Sequence, residues 1–230
     1  EEAHVAVIVN AFQEKYGIKT VFQRLSTGEV QAKITEENGN PSADVWFGGT
    51  TDPYNETAAA GLALARRTLG DKPVVAVIYT HSHIDHFGGV RGVVPNPAGV
   101  EIIAPDHFME HAVTENVIAG NAMSRRAQYQ FGAGLPPGPE GQMTSGIGLA
   151  VSNGTFTLIP PTRTITHTGE TLTIDGVRIE FQLTPDTEAP SEMNFLFPDF
   201  GVLLIAENAT ASMHNILTPR GALVRDAKAW

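Results

Sequence analysis

Cysteine is absent from the 230 residues, so no disulfide staples this chain, and any metal must be held by histidine, aspartate or glutamate. Positive charge is scarce as well. Fifteen lysines and arginines face 25 aspartates and glutamates, a formal net charge of -10, which argues against nucleic acid or an anionic membrane as a general partner. A small anionic substrate stays open, because it needs only local positive charge, and bound metal ions would supply that. No apolar run approaches the roughly 18 residues that a membrane span requires, and no membrane span is expected. Glu1-Glu2-Ala3-His4 is neither a signal peptide nor an initiator methionine. Apolar residues are not lacking: a hydrophobic content of 42% suffices for a core, and the length suits one ordinary domain or one and a half small ones.

The most informative stretch is Thr80-His81-Ser82-His83-Ile84-Asp85-His86-Phe87-Gly88-Gly89, directly after the apolar run Val74-Val75-Ala76-Val77-Ile78-Tyr79. A chain leaving a strand stays extended for a few residues with side chains alternating in direction, which puts His81 and His83 on one side. Two imidazoles there can share a borderline-soft cation such as zinc, and Asp85 and His86 can reach a second cation a little further on. Gly88-Gly89 lets the backbone pass close by and turn into a helix. This HxHxDH spacing with its Phe-Gly-Gly resembles the metallo-β-lactamase superfamily, which implies a binuclear zinc hydrolase. The motif alone leaves the reaction open among lactams, thioesters, phosphodiesters and sulfate esters.

Ahead of that motif, residues 5–16 carry apolar side chains at helical spacing, with Gly17 placed to end the helix, and residues 18–22 read as a strand. Ser26-Thr27-Gly28-Glu29 opens a second helix, and Ala43-Asp44-Val45-Trp46-Phe47 forms a second strand, an αβαβ pattern. The words Asn40-Pro41-Ser42-Ala43-Asp44-Val45-Trp46-Phe47-Gly48-Gly49 and Phe12-Gln13-Glu14-Lys15-Tyr16-Gly17-Ile18 resemble the start of a periplasmic solute-binding protein of the iron-transport type. That likeness covers about residues 4–62 and carries no binding residue with it. The division that follows is an αβαβ segment over residues 1–55 and an incomplete metallo-β-lactamase-like catalytic domain over 56–230, a chimera with its seam near residues 54–62.

Downstream, residues 57–69 read as an alanine-rich helix broken by Gly70-Asp71-Lys72-Pro73, residues 74–79 as the strand before the metal loop, and 101–103 as a short strand. A helix is expected over 105–118. Its His107 and His111 lie four apart but read as surface or packing residues. Residues 120–155 are the least regular part, rich in glycine and proline, as a lid or a connection would be. Thr171-Leu172-Thr173-Ile174 and Val177-Arg178-Ile179-Glu180-Phe181 form a hairpin on an Asp175-Gly176 turn, followed by strands over 193–197 and 201–206. His167, just before the hairpin, reads as structural.

Where the superfamily usually places a ligand histidine between the hairpin and the next strand, and an aspartate after the strand that follows, this chain has Glu188 and Glu207, 19 residues apart. From the residues alone each is a ligand at even odds. The double replacement resembles the zinc-dependent alkyl sulfatases. So do Ala122-Met123-Ser124-Arg125-Arg126-Ala127-Gln128-Tyr129, Leu158-Ile159-Pro160-Pro161-Thr162, His214-Asn215-Ile216-Leu217-Thr218 and Arg225-Asp226-Ala227, so that the likeness spans about residues 56–230.

This resemblance implies a partial αββα sandwich and hydrolysis of alkyl sulfate esters by water activated on zinc, its pKa brought to about 7. It implies one zinc on His81, His83 and Glu188, a second on Asp85 and His86, and Glu207 bridging both, with Asp85 and Glu207 as the catalytic carboxylates. Arg220, 13 residues past Glu207, becomes the sulfate-binding residue, its planar fork matched to an oxyanion.

Departures accompany it. A further histidine on the second zinc would lie beyond Trp230, so that site is expected to be under-ligated. Ala211 replaces an expected histidine, Pro219 a leucine, and Asp186 a glycine, the last expected to strain its loop. Half a sandwich is expected to leave a sheet face and edge uncovered, which favours aggregation or a partner, a homodimer being one form. Both resemblances lean toward periplasmic or secreted bacterial proteins. The rival readings are another binuclear hydrolase such as a lactonase or thioesterase, a solute-binding protein, and a chimera without function.

Overall fold

In a computed structural model of the chain, residues 13–15, 17, 19, 54–136, 138–142, 156–210 and 214–230 are described. The expected αβαβ segment falls almost wholly outside them. Residues 13–15 are helical, and Gly17 follows at φ 67, its N–H donating to the Gln13 carbonyl at 2.8 Å, as a helix-ending glycine does.

Strand β2 (Glu101–Pro105) shows how the layers are made. Successive side chains of a strand face opposite ways. Ile102 and Ala104 enter one apolar cluster with Tyr79, Phe87, Val90 and Phe108, while Ile103 enters another with Ile165, Ile179, Phe181, Met193 and Phe195. The first cluster lies between the sheet and its helices and the second lies between two sheets, giving the helix–sheet–sheet part of an αββα sandwich.

The first sheet is parallel, in the order β1 (Ala76–Ile78), β2, β3 (Arg163–Ile165). The second is an antiparallel meander of β4 (Thr171–Ile174), β5 (Val177–Leu183), β6 (Met193–Phe197) and β7 (Val202–Leu204). Strands buried on both faces read as continuous apolar runs, and strands with one wet face alternate. β5 alternates: Arg178, Glu180 and Gln182 are exposed, while Ile179 and Phe181 are buried. The hairpin forms in the expected register, Ile174 opposite Val177, with Asp175 at φ 49 and Gly176 at φ 79 supplying the two left-handed residues that a tight two-residue turn needs.

Helix α1 (Tyr54–Leu69) precedes β1 and packs on α3 (Val90–Val93), and α2 (Ile84–Phe87) lies inside the metal loop. The single helix expected over 105–118 is instead α4 (Phe108–Val113) running into a π turn, Thr114–Ile118. Strand β2 holds residues up to Pro105, and His107 opens the helix at φ 58. The irregular stretch also begins later than expected. Helix α5 (Gly120–Phe131) occupies its first third and ends at Gly132 with φ 65; its stripe of Met123, Ala127 and Phe131 is only half-buried. No described helix is long and apolar enough to cross a membrane.

Candidate metal centre and cleft

Backbone lacing between the two sheets sets the position of the histidines. Tyr79 N–H donates to the Ile103 carbonyl, Met193 N–H to Thr80, and Ser82 N–H to Ser191, so the loop is fastened to both sheets. His81 is bridged to Glu192 there, and His83 stands at the start of α2 in extended conformation, φ -75 and ψ 142. The extended run brings the His81 and His83 rings within 4.8 Å of each other, as alternation predicts. The helical turn that follows carries Asp85 and His86, and it sets the His86 ring 4.0 Å from that of His81.

Glu207 arrives from the other side, just past Ala206 at φ 48. Its Oε2 lies 3.0 Å from His86 Nε2 and 3.5 Å from His81 Nε2. Asn208 braces this corner by donating to Thr184 Oγ1 and Asn194 Oδ1, each at 2.9 Å. Among the described residues, His81, His83 and Glu207 form a set whose ligand atoms all lie within 4.8 Å of one another. The remaining expected ligands stand around that set. Asp85 is exposed, its carboxylate 3.5 Å from His86 Nε2. Glu188 is buried with Oε1 3.5 Å from His83 Nδ1.

His81 tests whether these residues suit a metal. Its Nδ1 is taken by Thr80 Oγ1 at 3.1 Å, while the opposite nitrogen, Nε2, is buried and makes no hydrogen bond. A buried polar atom without a partner is costly, and one ring nitrogen occupied while the other faces a carboxylate is how ligating histidines are prepared. Two neutral imidazoles and a carboxylate form a donor set that suits divalent cations of the zinc class.

Electrostatics points the same way. Burial lowers His81 to about 4 and holds His83 well below its ordinary value, so both rings are neutral and able to ligate. Burial also pulls His86 down, but the Glu207 hydrogen bond and the charge of Asp85 outweigh it and leave the ring above its ordinary value. The His81 ring 3.5 Å away and the close contact with His86 keep Glu207 ionised, well below the usual carboxylate range. Glu188 is the opposite case: burial raises it to about 8, with Arg225 pulling the other way.

Beside the metal-ligand group runs a cleft lined by His83, Glu188 and Arg225 together with Met123, Leu223 and Val224. Arg220 adjoins it through Gly221, another lining residue. Its backbone N–H donates to Gln130 Oε1 at 2.8 Å, and its guanidinium lies 3.6 Å from Glu115, which is carried on the π turn. Burial raises Glu115. π turns inside helices are frequent at functional sites.

Other expectations resolve individually. His107 is an exposed residue paired with Glu110 at 3.0 Å, whereas His111 lines the cleft. His167, expected to be structural, sits exposed 3.5 Å from Glu170. Asp186 is in the left-handed region at φ 64, as the loss of a glycine there led us to expect. Ala211 lies outside the described residues. Sequence reasoning missed Glu115, Glu192, His214 and Arg225. The last two sit within words that carried the family likeness, but nothing in their spacing announced a role.

Two packed sheets with a histidine-rich loop at their shared edge define the metallo-β-lactamase superfamily. The family model of that name matches residues 48–181, and the chain belongs to this superfamily, a metal-binding one. Within it, the chain is 53% identical over 180 residues to an (R)-specific secondary-alkylsulfatase of Pseudomonas sp, an alignment covering 76% of this chain and 27% of that protein. It is 52% identical over 179 residues to an alkyl/aryl-sulfatase of Saccharomyces cerevisiae, covering 76% and 28%. The solved structure of a stereoselective inverting sec-alkylsulfatase from Pseudomonas sp. superposes with a TM-score of 0.71 at 50% identity, covering 79% of this chain and 29% of that one. The chain thus spans little more than a quarter of the length of the curated relatives it matches.

Proposed function

We propose that this chain carries a zinc centre that hydrolyses the sulfate monoesters of alkyl alcohols. The observation that carries this reading is the meeting of a His–His–carboxylate group, an arginine, Arg220, linked to His83 through Glu115, and the apolar wall of the adjoining cleft. An alkyl sulfate needs all three: a cation near the reacting centre, a guanidinium group for the anionic head, and an apolar surface for the tail. Leu223 and Val224 are 70% and 69% exposed at the rim, and covering such surface is worth about 25 cal/mol per Å². The named activity of relatives at about half identity points to the same substrate class.

In this reading His81, His83 and Glu207 form the core of the centre, with Glu188 completing the first zinc site. Asp85, His86 and Glu207 would hold a second ion. Zinc supplies activation of water and offsets negative charge on the ester. The chain supplies the rest. Asp85, an exposed carboxylate beside His86, would take up a proton from the attacking water, while Glu207, kept ionised by its histidines, would serve as a ligand. Arg220 draws the sulfate head toward the centre through a bidentate-capable fork.

The test is release of inorganic sulfate from dodecyl sulfate by zinc-loaded protein. Turnover that stops on chelation and falls about 10²-fold in Arg220→Ala, the scale of losing one oxyanion contact, is expected. Folded, zinc-loaded protein that leaves alkyl sulfates of every chain length intact contradicts the proposal.

A further inference from the structure

Glu188 sits on the loop between β5 and β6, with no regular structure to fix its side chain, yet its carboxylate is held on both oxygens. Arg225 Nη2 donates to Oε1, and His214 Nε2 lies 3.0 Å from Oε2. Arg225 is itself immobilised: Nη1 donates to the Asn215 carbonyl, and its backbone N–H donates to the Ile216 carbonyl at 2.9 Å. The residue is only 8% exposed, so its charge is out of water and depends on Glu188 for compensation. The same Oε1 that accepts from Arg225 lies 3.5 Å from His83 Nδ1. A carboxylate oxygen has two lone pairs, so occupation of one by an anchored guanidinium leaves the other aimed at the His83 side.

We propose that Arg225 is a positioning residue: anchored through Asn215, it fixes the Glu188 carboxylate beside His83 so that the two present their ligand atoms to one cation. The proposal rests on the reading of Glu188 and His83 as metal ligands. The guanidinium fork does what a lysine ammonium cannot, since it reaches Asn215 and Glu188 from one rigid plane. Partners that orient a metal ligand in this way typically change metal affinity 10–100-fold when removed. Arg225 also lines the cleft, and the rival role at this position is direct contact with an anionic substrate. That role would leave metal binding untouched.

The experiment is zinc affinity by chelator competition, with the absorption spectrum of the cobalt(II)-substituted protein, on the full chain and on Glu188→Gln, Arg225→Met and Arg225→Lys, each checked for folding by circular dichroism. Expected is weaker zinc binding in Glu188→Gln, roughly tenfold or greater weakening in Arg225→Met with a shifted cobalt spectrum, and partial recovery in Arg225→Lys. Zinc affinity and cobalt spectrum unchanged in the arginine variants while Glu188→Gln weakens binding would overturn the positioning role and leave the ligand assignment standing. No change in any of the three variants would overturn both. If Arg225→Met fails to fold, Arg225→Lys decides alone, since wild-type affinity and spectrum with a mere ammonium at that position contradict the proposal.

Discussion

Glu192 is buried at 1% exposure, accepts from the Ala189 N–H at 2.9 Å and from the Thr187 hydroxyl at 3.3 Å, and leaves Oε1 without a partner. Burial raises its pKa from 4.5 to about 7. The folded chain therefore keeps a proton here that the unfolded chain gives up, and the contribution of Glu192 to stability falls as pH rises from about 4.5 to about 7 and is level above. Replacing it with glutamine removes that loss, so the gap between metal-free Glu192→Gln and wild type is expected to widen by roughly 3 kcal/mol across this window, read by urea unfolding at several pH values. Of the residues near the metal loop, those legible from sequence were the ones whose spacing alone implies shared direction: His81 and His83 after a strand, and Asp85 with His86 on the turn. Glu192, Glu115, His214 and Arg225 reach the site by tertiary contacts between segments dozens of residues apart, and no local pattern records such contacts.

Strands and turns were more legible than helices. The hairpin followed from alternation and an Asp-Gly pair, and its register is the expected one because a two-residue turn leaves no freedom. With φ 79 at Gly176, Gly176→Ala places a Cβ in the left-handed region and is expected to cost about 1 kcal/mol, visible as a lower melting temperature without change in zinc content. Helix α5 escaped because its stripe is only half-buried. The break between α4 and the π turn escaped too, since a π turn differs from an α-helix in hydrogen bonding and not in composition. The hinge of the 205–208 corner, Ala206 at φ 48, likewise has no glycine to mark it.

Among the described residues the second sheet exposes its β7 edge. β7 is an edge strand with Val202, Leu203 and Leu204 at 51%, 57% and 37% exposure, followed in space by Phe200 at 67%. Among the described residues no further strand pairs with that edge. Unpaired backbone groups beside apolar side chains template association with another chain. Leu203→Lys is expected to reduce light scattering at raised temperature while leaving zinc content unchanged. The layer order was legible in part: alternation at 177–183 marks a strand with one wet face, whereas the continuous apolar run at 74–79 belongs to an edge strand that is only half-buried. The most direct test of the account is the zinc stoichiometry of the full chain by native mass spectrometry, compared with Glu207→Ala. Since the Glu207 carboxylate lies within 3.5 Å of both His81 and His86, wild type is expected to carry bound zinc that Glu207→Ala loses. Folded wild-type protein that takes up no zinc, or a Glu207→Ala variant that retains the full complement, would contradict the metal centre on which the proposed sulfatase activity depends.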